Sequence, residues 1–167
     1  KVRYIGCFNF SAWQTCESIW TSRNLGLHQF IGNQVPYSLL DRDIERELMP
    51  FAKRYGLGII PYFPLANGLL TGKYKRGEQP NSGTRLVGDT KTLTEANFDK
   101  VEGLAALSNE MGHTILELAF AWLLSNPLVP SVIAGATKPD QVSANAKCSD
   151  WDLDHEALSL IDKITKQ

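Results

Sequence analysis

The sequence lacks an excess of charge of either sign, since 17 lysines and arginines face 18 aspartates and glutamates for a net charge of −1. We therefore expect neither a nucleic-acid-binding protein nor one that binds an anionic membrane through its overall charge. The sequence also lacks an apolar run of about 20 residues, the length of a membrane span, and a signal peptide at its start. Any site for an anion must therefore be local.

Cysteine is scarce and gives no sign of a disulfide framework or a metal centre. The three cysteines, Cys7, Cys16 and Cys148, are an odd number at spacings that match no zinc or redox motif. This pattern predicts reduced thiols, favours the cytoplasm and predicts no metal site. An initiating methionine is also lacking, and a start at Lys1 indicates a piece of something longer or a processed product.

Apolar segments of strand length alternate with helical patterns along the chain, in which 43% of the residues are hydrophobic. The predicted strands are residues 2–5, 30–35, 58–62 and 131–134, and the predicted helices are residues 11–25, 44–55, 94–111, 114–125, a helix from 139, and 154–164. This alternation predicts one α/β domain over residues 1–167, with parallel strands and outer helices. Four βα units are half of a (β/α)8 barrel, in which chemistry lies at the carboxyl ends of the strands.

A polar junction follows the fourth predicted strand and precedes a helix. Gly135, Ala136, Thr137 and Lys138 lie directly before Pro139, which suits the first turn of a helix. Free backbone N–H groups, the positive end of a helix dipole and a lysine together suit a phosphate group. A capped helix start without a ligand fits the same residues equally well.

Three stretches in the same order resemble the carboxyl-terminal half of an aldo-keto reductase: VRYIGCFNFSAW, NQVPYSLLDRDIERELMPFAKRYGLGIIPYFPLANGLLTGKY and VIAGATKPDQVSAN. The resemblance extends from Lys1 to the final helix. It implies an eight-stranded (β/α) barrel, here represented by strands five to eight and the last helix. It also implies that NADPH is bound in an extended pose and that aldehydes or ketones, as small-molecule carbonyl substrates, are reduced to alcohols.

The resemblance also implies a set of cofactor-binding residues. Asn9 and Gln34 resemble the amides that bind the nicotinamide carboxamide, and Tyr62 resembles the aromatic residue on which the nicotinamide ring stacks. The loop that covers the pyrophosphate, with two candidate cations, corresponds to Phe63, Pro64, Leu65, Ala66, Gly68, Leu69, Lys73 and Arg85. The clamp on the 2′-phosphate corresponds to Gly135, Ala136, Thr137 and Lys138, and the adenine contacts correspond to Gln141 and Asn145.

Two features depart from the family pattern. Phe8 stands where the family usually has a serine, so its ring is expected either to point away or to narrow the nicotinamide end of the site. The catalytic tyrosine, lysine, aspartate and histidine of the family belong to the first four strands, which this chain lacks. We therefore predict no catalytic residue in this sequence.

Several alternatives remain open from the sequence. The chain is either a fragment whose other half is missing or a half-length product, and in the second case two copies could pair their exposed sheet edges as a homodimer. A noncatalytic NADPH-binding module, similar to the cytoplasmic potassium-channel β-subunits built on this fold, is the alternative to a reductase. A phosphate-binding half-barrel for another small metabolite is a third reading.

Overall fold

The computed structural model describes residues 1–166 and contains a parallel sheet of three strands in the order β1, β2, β3. The strands are β1 (Ile5–Phe8), β2 (Phe30–Pro36) and β3 (Gly58–Tyr62). The helices are α1 (Ala12–Leu25), α2 (Leu48–Tyr55), α3 (Glu95–Glu110), α4 (Ile115–Leu124), α5 (Pro139–Lys147) and α6 (His155–Thr165). The predicted α/β class with parallel strands is therefore confirmed. The predicted domain ends at Gln167, which lies outside the described residues.

Local capping signals determine where α1 begins and ends. The Ser11 hydroxyl accepts a hydrogen bond from the Gln14 backbone N–H, and the Gln14 side chain accepts one from the Ser11 N–H. At the other end, Gly26 adopts a left-handed conformation with φ 65°, which a glycine adopts without a Cβ penalty. The helix predicted between Ser11 and Leu25 is confirmed.

The two faces of the sheet differ in burial. Cys7, Asn33 and Ile59 are aligned on the three strands and are buried on one face. Phe8 and Gln34 occupy the next level of the sheet on the opposite face. Because this second face is only partly buried, its side chains at the carboxyl end remain accessible.

The fourth predicted strand, residues 131–134, is not formed as a strand. Ile133 makes a single parallel bridge to Tyr62, and its N–H donates to the Pro61 carbonyl at 2.8 Å. Earlier in the same segment, the Leu128 carbonyl accepts from the Ile59 N–H at 2.7 Å. Pro130, which lies between these contacts, has no N–H to continue a ladder. Residues 1–166 therefore form three strands where the sequence predicts four.

The first strand lies later in the chain than predicted. Residues 2–4 are exposed and unpaired because β2 begins only at Phe30, which is opposite Ile5. The prediction of residues 2–5 was therefore wrong by three positions at each end.

The second predicted helix, residues 44–55, is divided. A 3₁₀ turn covers Asp43–Glu45, and α2 begins only at Leu48. Pro50 then falls in the first turn of α2, where its missing N–H is tolerated, whereas a start at Ile44 would place it in the helix interior.

An ion cluster joins the last helix to the loop after β2. The Arg42 guanidinium donates to both carboxylate oxygens of Glu45, at 2.7 and 2.9 Å, and to Asp162 at 2.8 Å and the Thr165 hydroxyl at 2.6 Å. Its centre lies 4.8 Å from the ring centroid of Trp122 on α4. These contacts connect the loop after β2 with α4 and α6.

Candidate functional site

The turn after β1 brings three of the predicted residues together at the carboxyl end of the sheet. Asn9 adopts a left-handed conformation with φ 56°, and its backbone N–H donates to the Gln34 carbonyl at 2.9 Å. The Tyr62 hydroxyl donates to the Asn9 side-chain oxygen at 3.0 Å. An asparagine tolerates this backbone region better than most residues. The turn therefore fixes the Asn9 amide beside the end of β3.

Aromatic rings surround Tyr62. Phe8 packs against the Tyr62 ring with centroids 5.5 Å apart and 30° between the planes. Phe63 meets the same ring edge-on, with centroids 4.9 Å apart. The Phe8 ring therefore lies against Tyr62, and that it narrows the nicotinamide end of the site stays a prediction.

The loop after β3 is held in an unusual backbone conformation. Ala66 and Asn67 have φ values of 44° and 56°, and Gly68 has a φ of 96°. A Cβ atom at Gly68 would lie 3.0 Å from the Lys73 Nζ atom, so the lysine folds back closely over this glycine. The loop therefore places an ammonium group against its own backbone.

Two predicted loop residues are buried rather than exposed. The Leu69 side chain is 0% exposed and packs in the core, and Pro64 is also buried. Leu65 and Ala66 are half-buried, whereas Phe63 and Lys73 are exposed. A ligand above this loop would meet Leu69 through its backbone only.

The later part of the same loop returns to the junction before α5. A Cβ atom at Gly135 would lie 3.7 Å from the Arg85 Nη2 atom, so the guanidinium lies beside this glycine. Gly135, Ala136, Thr137 and Lys138 are all exposed. The structure thus brings Arg85, which was predicted for the pyrophosphate loop, to the segment that the sequence allows to be either a phosphate site or a capped helix start.

The backbone N–H groups at this junction are capped by a side chain. The Gln141 side-chain oxygen accepts from the Thr137 N–H at 2.7 Å and from the Lys138 N–H at 3.2 Å. Gln141 is exposed, and Asn145 lies one turn further along α5 and is half-buried. This cap is the simpler of the two readings of the junction, and it engages the same groups that a phosphate would use.

Sequence reasoning missed Asn33, which is 0% exposed beside the Asn9 turn. Its side-chain N–H donates to the Phe10 carbonyl at 2.7 Å. The sequence signal that could have identified Asn33 is its polar side chain on the face of β2 that otherwise packs against helices.

Two of the three cysteines, Cys7 and Cys148, offer no reactive thiolate. All three are free, and burial raises the pKa of the Cys7 thiol. Burial, together with the charge of Glu117, raises the pKa of Cys148 to about 11. These two thiols are neutral at physiological pH and are not activated nucleophiles.

Two kinds of feature are not found in residues 1–166. Their histidine, cysteine and acidic side chains form no group of three or more that could hold a metal ion. Within the same residues, no helix has the length and apolar character needed to cross a membrane.

Comparison with known proteins gives consistent matches. A sequence model of the Aldo/keto reductase family matches residues 1–166. A probable voltage-gated potassium channel subunit beta of Oryza sativa subsp. japonica is 38% identical over 153 residues, covering 88% of this chain and 47% of the relative. The uncharacterized oxidoreductase YrpG of Bacillus subtilis is 33% identical over 164 residues, covering 98% of this chain and 49% of the relative.

An enzyme with a named substrate is also similar. The L-glyceraldehyde 3-phosphate reductase of Escherichia coli (strain K12) is 32% identical over 154 residues, covering 88% of this chain and 44% of the relative. The chain spans about half the length of the curated relatives it matches.

Proposed function

Because the chain belongs to the aldo/keto reductase family, we propose that it is the cofactor-binding half of an NADPH-dependent oxidoreductase that reduces aldehydes or ketones to alcohols. The observation that carries this proposal is the meeting of Asn9, Gln34 and Tyr62 at the carboxyl end of the sheet, on the face that helices do not cover. Carboxyl ends of parallel strands are where barrels of this class carry their chemistry.

The residues present suit a dinucleotide. Lys73 approaches Gly68 so closely that an added Cβ would lie 3.0 Å from its Nζ atom, and Arg85 lies beside Gly135 at ordinary contact distance. Positive charge beside accessible backbone is suited to phosphate oxygens. The contact of Lys73 with Gly68 supports the proposed pyrophosphate contact of the loop after β3, and the position of Arg85 supports the proposed phosphate contact before α5.

In this proposal each residue has a binding or orienting role. The Asn9 and Gln34 amides satisfy the nicotinamide carboxamide, and Tyr62 supports the ring by stacking. NADPH supplies a hydride when bound, and the protein determines its orientation. We assign no proton donor to this chain and propose that it comes from the other half of the barrel.

We further propose that Thr137 and Lys138 recognise the 2′-phosphate. This phosphate distinguishes NADPH from NADH, and Lys138 is exposed at the start of α5. In the Lys138→Glu variant, we expect NADPH to bind at least about tenfold more weakly, because an attractive charge becomes repulsive. NADH, which lacks this phosphate, is expected to bind with little change.

The measurement is a titration of tryptophan fluorescence with each cofactor. Lys147→Glu is the matched control, because Lys147 is exposed on the same helix but at its opposite end. Equal losses for NADPH and NADH in Lys138→Glu would contradict the 2′-phosphate assignment. Failure of the unmodified protein to bind NADPH would contradict the proposed function itself.

A noncatalytic NADPH-binding module is the second candidate. It is favoured by the probable voltage-gated potassium channel subunits beta of Oryza sativa subsp. japonica and Arabidopsis thaliana, which are 38% and 36% identical to this chain. The experiment that separates the two candidates follows oxidation of bound NADPH with a panel of aldehydes and ketones. Turnover supports the reductase, whereas binding without turnover in the intact protein supports the module.

The open side of the sheet is proposed to pack against the remaining βα units of the barrel. β1 is an edge strand, and Val2, Tyr4, Ile5 and Ile31 near it are large apolar residues that are exposed. Exposed apolar edges favour association. We therefore propose a cytoplasmic protein in which this surface is covered. The cover is either the other barrel half or a second copy in a homodimer.

Sedimentation separates these cases. A dimer of 167-residue chains would support pairing between copies, whereas a monomer formed by a longer chain would support a continuous barrel. A stable, folded monomer of this chain alone would contradict the homodimer.

A further inference from the structure

Asn33 is a buried amide in an apolar layer. It lies at the centre of β2, opposite Cys7 on β1 and Ile59 on β3, and is 0% exposed. A polar side chain in such a place is costly unless its hydrogen-bonding groups are paired. Its contacts therefore indicate why this position is not apolar.

The Asn33 amide is paired on one side only. Its Nδ2 group donates to the Phe10 carbonyl at 2.7 Å and approaches the Thr15 Oγ1 atom at 3.4 Å. Its Oδ1 atom is buried and has no hydrogen-bond partner among the described residues. Stability alone does not favour a half-satisfied buried amide, because an unpaired buried acceptor is destabilising.

Asn33 helps to fix the conformation of the turn after β1. Asn33 and Gln34 are consecutive residues of β2, and they form hydrogen bonds with two consecutive residues of the turn after β1, Phe10 and Asn9. Gln34 accepts the Asn9 N–H through its backbone carbonyl, and Asn33 binds the Phe10 carbonyl through its side chain. Together they hold Asn9 in its left-handed conformation with its side chain at Tyr62.

We propose that Asn33 is a positioning residue for cofactor binding, because it anchors the turn that presents the Asn9 amide. The inference rests on the proposed function, in which Asn9 binds the nicotinamide carboxamide. Asn33 itself faces away from the cofactor and acts only through the turn. Its loss should therefore affect the nicotinamide end of the cofactor and leave the adenosine end unchanged.

The test is the Asn33→Leu variant of the intact protein, which keeps the side-chain volume and removes the amide. We expect NADPH to bind about tenfold more weakly, the effect of one well-placed hydrogen bond. Binding of 2′-phospho-ADP-ribose, which has no nicotinamide, should change by less than about twofold. Thr15→Val is the matched control, because it removes the second contact of Asn33 and keeps the bond to Phe10.

A double variant tests the route of the effect. If Asn33 acts through Asn9, Asn33→Leu should add no further loss of NADPH affinity in an Asn9→Ala background. Additive losses, equal losses for both ligands, or unchanged NADPH binding would each overturn the proposal. Failure of the unmodified protein to bind either ligand would instead contradict the proposed function.

A measurement on the unmodified protein covers the case in which Asn33→Leu does not fold. The side-chain amide resonance of Asn33 in an NMR spectrum reports on its bond to the Phe10 carbonyl. We expect this resonance to shift on addition of NADPH and to remain in place with 2′-phospho-ADP-ribose. The same response to both ligands, or none to NADPH, would overturn the proposal.

Discussion

Replacement of Arg42 by methionine is expected to destabilise the protein by about 2–4 kcal/mol. The Arg42 side chain is 14% exposed, and its partners Glu45 and Asp162 are 26% and 41% exposed. Hydrogen bonds to charged groups contribute about 1.5–3 kcal/mol each in protected sites, whereas exposed pairs contribute about 0–1 kcal/mol. Arg42 has two charged partners, Glu45 and Asp162, so the two limits are about 0–2 kcal/mol for exposed pairs and about 3–6 kcal/mol for protected ones. The expected loss is intermediate because the cluster is only partly shielded from water.

The assay is urea denaturation followed by tryptophan fluorescence, with Trp122 as a reporter because the guanidinium lies over its ring. We expect the midpoint to fall with no change in the denaturant dependence. Arg54→Met is the matched control, since Arg54 is exposed on α2, and it should change stability by less than about 0.5 kcal/mol. A loss below about 1 kcal/mol for Arg42→Met would refute the reasoning, because the cluster would then behave as an exposed ion pair.

The same cluster predicts a dependence on pH. Burial alone raises the pKa of Asp162, but hydrogen bonds from Lys166 and Arg42 outweigh it and hold the pKa below its usual range. Because the pKa is lower in the folded state, this carboxylate stabilises the fold above its unfolded pKa of about 3.9. That contribution is lost as the pH falls through the folded pKa. The Arg42→Met variant should lose less stability than the unmodified protein over this acid range. An equal loss in the variant and the unmodified protein would contradict the role of Arg42 in lowering the pKa of Asp162.

Two further substitutions examine the site. Gly68→Ala places a Cβ 3.0 Å from Lys73 Nζ, so we expect weaker NADPH binding in a titration. Gly83→Ala is the control. Gly83 has a similar φ of 86°, and an added Cβ there has nothing within 4 Å. Unchanged affinity in Gly68→Ala would contradict the role of Lys73. Phe8→Ser removes the ring that packs on Tyr62 and restores the family's usual residue, so we expect NADPH to bind a few-fold more tightly, and weaker binding would show that the Phe8 ring supports the cofactor.

The elements that were predicted from the sequence are those with local signals. The caps of α1, Ser11 and Gly26, act on residues within one turn, so both could be identified from neighbours in the chain. The position of β1 depends instead on where its partner begins, and this non-local pairing moved the strand to Ile5–Phe8. Pro130 was visible in the sequence, but only its place beside Gly58 on β3 shows why the ladder is interrupted there.

The same distinction applies to the site. Gln34 and Tyr62 could be proposed because they lie within segments, NQV and PYFPL, that resemble those of the family. Asn33 could not, because its role depends on a carbonyl that lies 23 residues away in the chain. Likewise, the contact between Arg85 and Gly135 forms only when the long loop after β3 folds back to the start of α5.

At the junction before α5 the structure shows the capped helix start, and the phosphate site stays a proposal. The Gln141 oxygen caps the Thr137 and Lys138 N–H groups in the structure, and a phosphate at the same N–H groups would have to displace it. Because Gln141 is exposed, water can replace its lost contacts, and the displacement costs no more than the cap contributes, about 1 kcal/mol. A preference for NADPH at this junction must then come from charge, which Lys138 and Arg85 supply, and not from unpaired N–H groups. This is why the charge reversal of Lys138 tests the phosphate assignment more directly than any change to the cap.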